Sequence, residues 1–278
     1  MLQRAKWALD EDELNTLKDR ASYYGLDKSA KFKEFKAKYL DAAKDKGYNN
    51  KIISVPMNSS TDPCYNDLFQ RLEYIDIEYK PVSNLPTRPT EAEIIASIAG
   101  RDLTKGSCAS LSLTYIGRKQ GWDVLDFRGG ESTHFFSQAK KLSTLSQAEG
   151  MVTLAGKGAD NLSFAKSLLK QCQNGKEYLL ASGKHAAIVR RTDQGVLQYL
   201  ELQTEDENGW HNFKYDTLKE RFGCSSTRKN KFGENNSKFD FMIDIEASDF
   251  STNEYKSLLG YINTGVDKQQ KGAGGFAK

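Results

Sequence analysis

Apolar positions change their period along this chain. In residues 10–46 they recur at helical spacing: Phe32, Phe35 and Tyr39 fall at i, i+3 and i+7 among Lys, Asp, Glu and Ala, the stripe of an amphipathic helix. Two helices are expected, Asp10–Tyr24 closed by Gly25 and Ser29–Lys46 closed by Gly47. A glycine after the last periodic residue is a stop signal. The stripe reads as ordinary helix packing, with a docking face for a partner as the alternative. Residues 48–89 hold all five prolines and many Asn and Ser. Strand-like pieces lie inside them at Lys51–Val55 and Leu72–Tyr79. This stretch reads as a linker that becomes an edge of the next domain. Thr90-Glu91-Ala92-Glu93 then has capping-box spacing and opens a helix to about Ala99.

From Gly106 the texture changes. Gly106-Ser107-Cys108 precedes a helix of roughly a dozen residues that starts at or just after Cys108 and ends at Gly121, followed by a strand-like Trp122–Phe127 and a turn at Gly129-Gly130. Helical spacing returns in Ser132–Ser146 and Asn161–Gln173. Strands are expected at Tyr178–Leu180, His185–Arg191 and Val196–Gln203, the last two joined through the hairpin signal Asp193-Gln194-Gly195. Tyr215–Phe222 reads as a short helix, Phe239–Ile245 as a strand and Asn253–Ile262 as a closing helix. Helices first and strands late predict an α+β fold with a mainly antiparallel sheet. The expected division is a helical segment 1–47, a linker 48–89, a domain 90–265 and a Gly-rich flexible tail 266–278.

Composition narrows the function classes. Charged residues make up 28% and the hydrophobic set 38%, with a mean hydropathy of −0.64, a polar globular balance. Lys+Arg 40 against Asp+Glu 37 leaves +3, too even to argue a nucleic-acid partner. There is no run of 18 apolar residues, so no membrane span is expected, and the acidic start MLQRAKWALDEDEL is not a secretory signal. Four widely spaced cysteines form no CxxC, which argues for reduced thiols and against a zinc site. Neither a cofactor nor a metal is expected, because Ala155-Gly156-Lys157-Gly158 lacks phosphate-loop spacing and no His/Asp/Glu cluster has ligand spacing.

One constellation could carry chemistry. Cys108 follows the small residues Gly106 and Ser107 at a helix start. Exposed N–H groups and partial positive charge there favour a thiolate, the nucleophilic form, and can hold an oxyanion. The plainer alternative is a small residue packing the first turn. His185 opens a strand beside Ala186 and Ala187, which leave room for a partner side chain. A hairpin turning near Gly195 gives pairing sums of about 387–388, setting Leu202 or Gln203 opposite His185. Gln203 or its diagonal neighbour Glu201 could then orient the imidazole. Ser107, Arg128 in the turn before Glu131, and Trp210 after Asn208-Gly209 are candidates for contact with substrate. Cys64, Cys172 and Cys224 lack a helix-opening setting and read as inert.

A helix-opening Gly106-Ser107-Cys108-Ala109-Ser110-Leu111, a strand Gly183-Lys184-His185-Ala186-Ala187-Ile188-Val189-Arg190 and a following Tyr199-Leu200-Glu201-Leu202-Gln203 occur in that order. The order resembles papain-like cysteine enzymes, particularly papain-fold domains of bacterial toxins and phage-borne proteins. It departs from them in having Glu201 where Asp is usual. The segments Asp102–Cys108 and Asp126–Ser132 resemble the C-terminal region of phage minor head proteins of the Mu-F-like head morphogenesis family, over roughly residues 85–265. That resemblance implies a papain-like fold and a protein or peptide substrate. It also implies possible phage head partners and a bacterial cytoplasmic or virion setting, with residues 1–47 as the end of a preceding head-protein region. The implied activity is a Cys108–His185–Glu201/Gln203 hydrolase or acyl transferase; the alternative is a non-catalytic head component that keeps the shape.

Overall fold

In the computed structural model the described residues are 58–75, 77–99, 107–125, 130–203 and 208–263. The chain divides into two compact units, 1–57 with 73–76 and 58–72 with 77–278. The first falls almost wholly outside the described residues. So do the helices expected in 10–46, the strand expected at Lys51–Val55 and the tail from 266. The architecture below is that of the second unit.

The first described helix was not expected. Helix α1 runs Pro63–Tyr74 and buries Tyr65, Leu68, Phe69 and Leu72, a full helical stripe. Asp62 Oδ1 accepts from the Cys64 and Tyr65 amides at 2.6 and 3.4 Å, and Pro63 follows it with no N–H to satisfy. In place of the strand expected at Leu72–Tyr79 the described residues are a helix end, up to Tyr74, and then chain outside any strand, with the Ile77 amide donating back to the Leu72 carbonyl at 3.1 Å. The short strand at Ser83–Asn84 was not expected either, and of the strand expected over Trp122–Phe127 only Trp122–Asp123 is strand among the described residues. Strand β1 (Ser83–Asn84) pairs antiparallel with β2 (Trp122–Asp123). Helix α2 (Glu91–Ile98) opens on the full Thr90/Glu93 capping box. The segment expected as one helix over Ser132–Ser146 is two, α4 (Gly130–Phe136) and α5 (Ala139–Leu145), after α3 (Cys108–Lys119). Helix α6 (Asn161–Leu169) starts on Asp160, whose Oδ1 accepts from the Ser163 amide at 2.8 Å.

Five antiparallel strands form the main sheet in the order β6-β5-β4-β3-β7: β3 (Glu177–Ser182), β4 (His185–Arg191), β5 (Leu197–Glu201), β6 (Gly209–Asn212) and β7 (Phe241–Asp244). The short helix α7 (Thr217–Glu220) and the closing helix α8 (Asn253–Gly260) complete eight helices among the described residues. The fold is α+β with antiparallel sheets.

The sheet is covered on both faces, which explains why β3 is buried at every position. One face carries Tyr178, Leu180, Ala187, Val189 and Met242 against α6 and against Leu218, Phe222 and Cys224. The other faces α3, whose residues Ala109 to Arg118 are all buried. A buried helix must settle its polar groups locally. Tyr115 Oη and Lys119 Nζ donate to Glu177 on β3, at 3.3 and 2.9 Å, and Tyr255 Oη of α8 donates to the Leu113 carbonyl at 2.9 Å. Gly117 lets α8 pack close: an added Cβ would stand 2.5 Å from Leu259 Cδ1 and displace that side chain. No helix among the described residues is long and apolar enough to cross a membrane.

Candidate functional site

Two features bring the start of α3 to the end of β4. The first is where β4 and β5 stop pairing. Their register runs from Arg191–Leu197 to Val189–Tyr199, and no further pairs form among the described residues. Each pair sums to 388, one of the two values expected from the hairpin signal, and extending it would set Gln203 rather than Leu202 across from His185. The second is how the opening is filled. Ser112 Oγ donates to the Ala186 carbonyl at 3.4 Å, so the first turns of α3 lie against the unpaired part of β4. Ser107, the N-cap residue, makes no side-chain bond to its own helix; its Oγ accepts from Gln203 Nε2 at 2.9 Å instead. Cys108, half-buried, is the next residue.

His185 is held at this edge by the tight turn from β3. Gly183 has φ +63°, and a Cβ there would stand 2.5 Å from the Phe222 carbonyl oxygen, so only glycine fits. The Lys184 amide donates to that same carbonyl at 2.7 Å. Buried Ser182 donates to Asp240 Oδ2 at 2.6 Å, and Asn161 Nδ2 donates to both Asp240 oxygens. Burial raises the Asp240 carboxyl, against the hydrogen bonds from Ser182, Asn161 and Gly183. The His185 ring meets Phe222 edge-on with centroids 5.0 Å apart. Burial, and then the charge of Arg221, push its imidazole down to about 3 against the opposing pull of Glu201. His185 is thus a neutral ring at ordinary pH.

Glu201 and Gln203 come to the same place but turn elsewhere. Glu201, 2% exposed, accepts from Arg221 Nε and from Arg221 Nη2 at 2.8 Å. Its Oε1 also accepts from the Leu202 and Gln203 amides. Burial pushes its carboxyl up, and the hydrogen bond and charge of Arg221 outweigh that and hold it below the usual range. Gln203 Oε1 accepts from Arg221 Nη2 at 3.2 Å. Among the described residues no hydrogen bond joins the His185 ring to either side chain.

Arg221 is the member that sequence reasoning missed. It follows α7 directly and is adjacent to Phe222, so one short segment grips both Glu201 and the His185 ring. Burial disfavours its charge, and Glu201 more than restores it; Cys108 and Tyr199 act in the same direction.

Two further residues were expected in contact with substrate, Arg128 and Trp210. Arg128 lies outside the described residues. Trp210 is in β6 and is taken up by contacts within the fold. Its ring stacks on the Arg190 guanidinium at 3.8 Å and its Nε1 donates to Glu91 at 2.7 Å. Cys172 and Cys224 are buried, with thiols pushed up to about 11 by burial. A surface cleft of about 480 Å³ on the α6 side, lined by Phe164, Lys229, Asn235 and Lys238 among others, contains none of Cys108, His185 and Arg221. No group of three His, Cys, Asp or Glu side chains among the described residues could hold a metal ion.

The fold and the site together define an α+β protein in which the residue before a helix-opening cysteine is tied to Gln203, and a buried histidine stands beside an Arg–Glu pair. No family model, no curated protein and no solved structure matches the chain.

Proposed function

We propose that this domain is a papain-like cysteine hydrolase or acyl transferase acting on an amide of a peptide or protein side chain. The observation that supports it is convergence: Ser107-Cys108, His185 and Glu201–Gln203 come from three distant segments, and the Gln203–Ser107 hydrogen bond ties the last to the first. In this reading Cys108 Sγ attacks the substrate carbonyl and the C–N bond breaks. The leaving nitrogen gains a proton relayed by His185. Water then breaks the thioester with His185 accepting its proton, giving a carboxylic acid and the restored thiol. An amine in place of water gives acyl transfer. Glu201 acts on the ring through charge rather than through a hydrogen bond. The phage or bacterial setting is carried by the sequence resemblance alone.

The test is release of p-nitroaniline from a panel of peptide anilides by the full chain. Turnover that disappears in both Cys108→Ser and His185→Gln supports the reading. One observation favours a second reading, a non-catalytic phage head component: the His185 ring packs on Phe222 with no hydrogen bond to an orienting side chain among the described residues. No turnover, with Cys108 alkylated no faster than the half-buried Cys64, would overturn the hydrolase reading.

A further inference from the structure

Resting on the reading of Cys108 as a nucleophile, we propose that Arg221, rather than an imidazolium at His185, is the positive charge that holds Cys108 as a thiolate. The guanidinium is fixed on its inner side, where Nε and Nη2 serve Glu201 and Nη2 also serves Gln203 Oε1. The two N–H groups of Nη1 bond no described residue, and the Arg221 side chain is 31% exposed against 3% for Glu201. The cation therefore turns outward while its counter-ion is turned in. Gln203 spans the short distance from this guanidinium to the residue before Cys108: its Oε1 takes Arg221 and its Nε2 gives to Ser107 Oγ. Arg221 and Cys108 interact electrostatically across that gap.

His185 is poorly suited to the same task. Its ring is enclosed against Phe222 and lacks a hydrogen-bonded carboxylate among the described residues, so a proton placed on it is desolvated and stands beside an existing cation. Among the described residues, the titratable groups that interact with Arg221 are Cys108 at the start of α3, His185 on β4, and Tyr199 and Glu201 on β5. Arg221 is the one always charged. In the resting state the thiol proton passes to solvent, and His185 stays neutral, ready to relay protons during turnover. Arg221 is thus a positioning residue: it acts on the reacting sulfur by charge and through Gln203 and Ser107.

The experiment is iodoacetamide labelling of the full chain across pH, read separately for each cysteine by mass spectrometry. It uses wild type, Arg221→Gln, Arg221→Lys and His185→Gln. Arg221→Gln is expected to move the Cys108 profile up by about one pH unit, a tenfold loss of rate at pH 7. Arg221→Lys keeps the charge and stays near wild type, and His185→Gln leaves the profile in place. Buried Cys172 and Cys224 report folding, since they stay protected only while the domain is intact. If Arg221→Gln exposes them, Arg221→Lys and His185→Gln decide. An early wild-type profile that His185→Gln displaces by a unit overturns the role of Arg221 and leaves the nucleophile reading standing. A wild-type Cys108 that labels no earlier than Cys64 overturns both.

Discussion

Lowering the pH from 7.5 to 5 should destabilise this domain through one residue, His185. Its imidazole is pushed from 6.5 to about 3 in the folded chain, by burial first and by Arg221 second. Stability rises with pH wherever the unfolded chain binds more protons than the folded one. Between 6.5 and 3 the unfolded chain binds a proton at this position and the folded chain does not, so stability is complete above 6.5 and drains as pH falls. Integrating that difference from pH 7.5 to 5 gives a loss of about 2 kcal/mol. Other groups act mainly in a different range. Asp240 and Glu246, raised by burial, hold protons more readily when folded and oppose the loss as carboxylates begin to titrate. Glu201, held low by Arg221 despite its burial, adds to the loss only where free glutamate would protonate. The assay is urea unfolding followed by tryptophan fluorescence at pH 7.5, 6 and 5, for wild type and His185→Gln. The variant loses packing on Phe222 at every pH, so only the slope matters. Wild type should lose about 2 kcal/mol more than the variant over this range. Parallel slopes, or wild type gaining stability in acid, would refute a buried neutral His185.

Three further outcomes follow from the same geometry. Glu201→Ala leaves Arg221 without its buried counter-ion and should cost about 3 kcal/mol, with Arg221→Met in the same background costing much less than alone, as a double-mutant cycle would read. Gly183→Ala puts a Cβ 2.5 Å from the Phe222 carbonyl at φ +63°, whereas Gly195→Ala, at φ +80°, meets nothing within 4 Å. The first should lose more than 2 kcal/mol and the second about 1, and equal losses in thermal melts would show that the turn yields. Trp210→Ala removes the stack on Arg190 and should cost about 1 kcal/mol without changing the labelling of Cys108; a changed labelling rate would return Trp210 to the site.

What the sequence made legible is what depends on neighbours in the chain. The Thr90 box, the Asp193-Gln194-Gly195 hairpin and the stop of α3 before Gly121 are local devices, and each stands where it was expected. The hairpin even sets a register, because loop length pairs Arg191 with Leu197 and Val189 with Tyr199, and carrying that register on points Gln203 toward the level of His185. Helix α1 was missed because the prolines and asparagines around it suggested a linker, while Asp62-Pro63 is a helix start. The partners of Glu201 were illegible for a different reason. A carboxylate two residues from a glutamine on one strand face is consistent with either orienting a histidine or binding a cation, and strand periodicity does not separate the two. Arg221 decides it, and Arg221 arrives from a segment whose only local signal was a short helix. Its charge among 40 Lys and Arg carries no mark of its own. Because it occupies Glu201 and repels a proton from His185, the residue that was hardest to see is also the one that sets the charge of both groups.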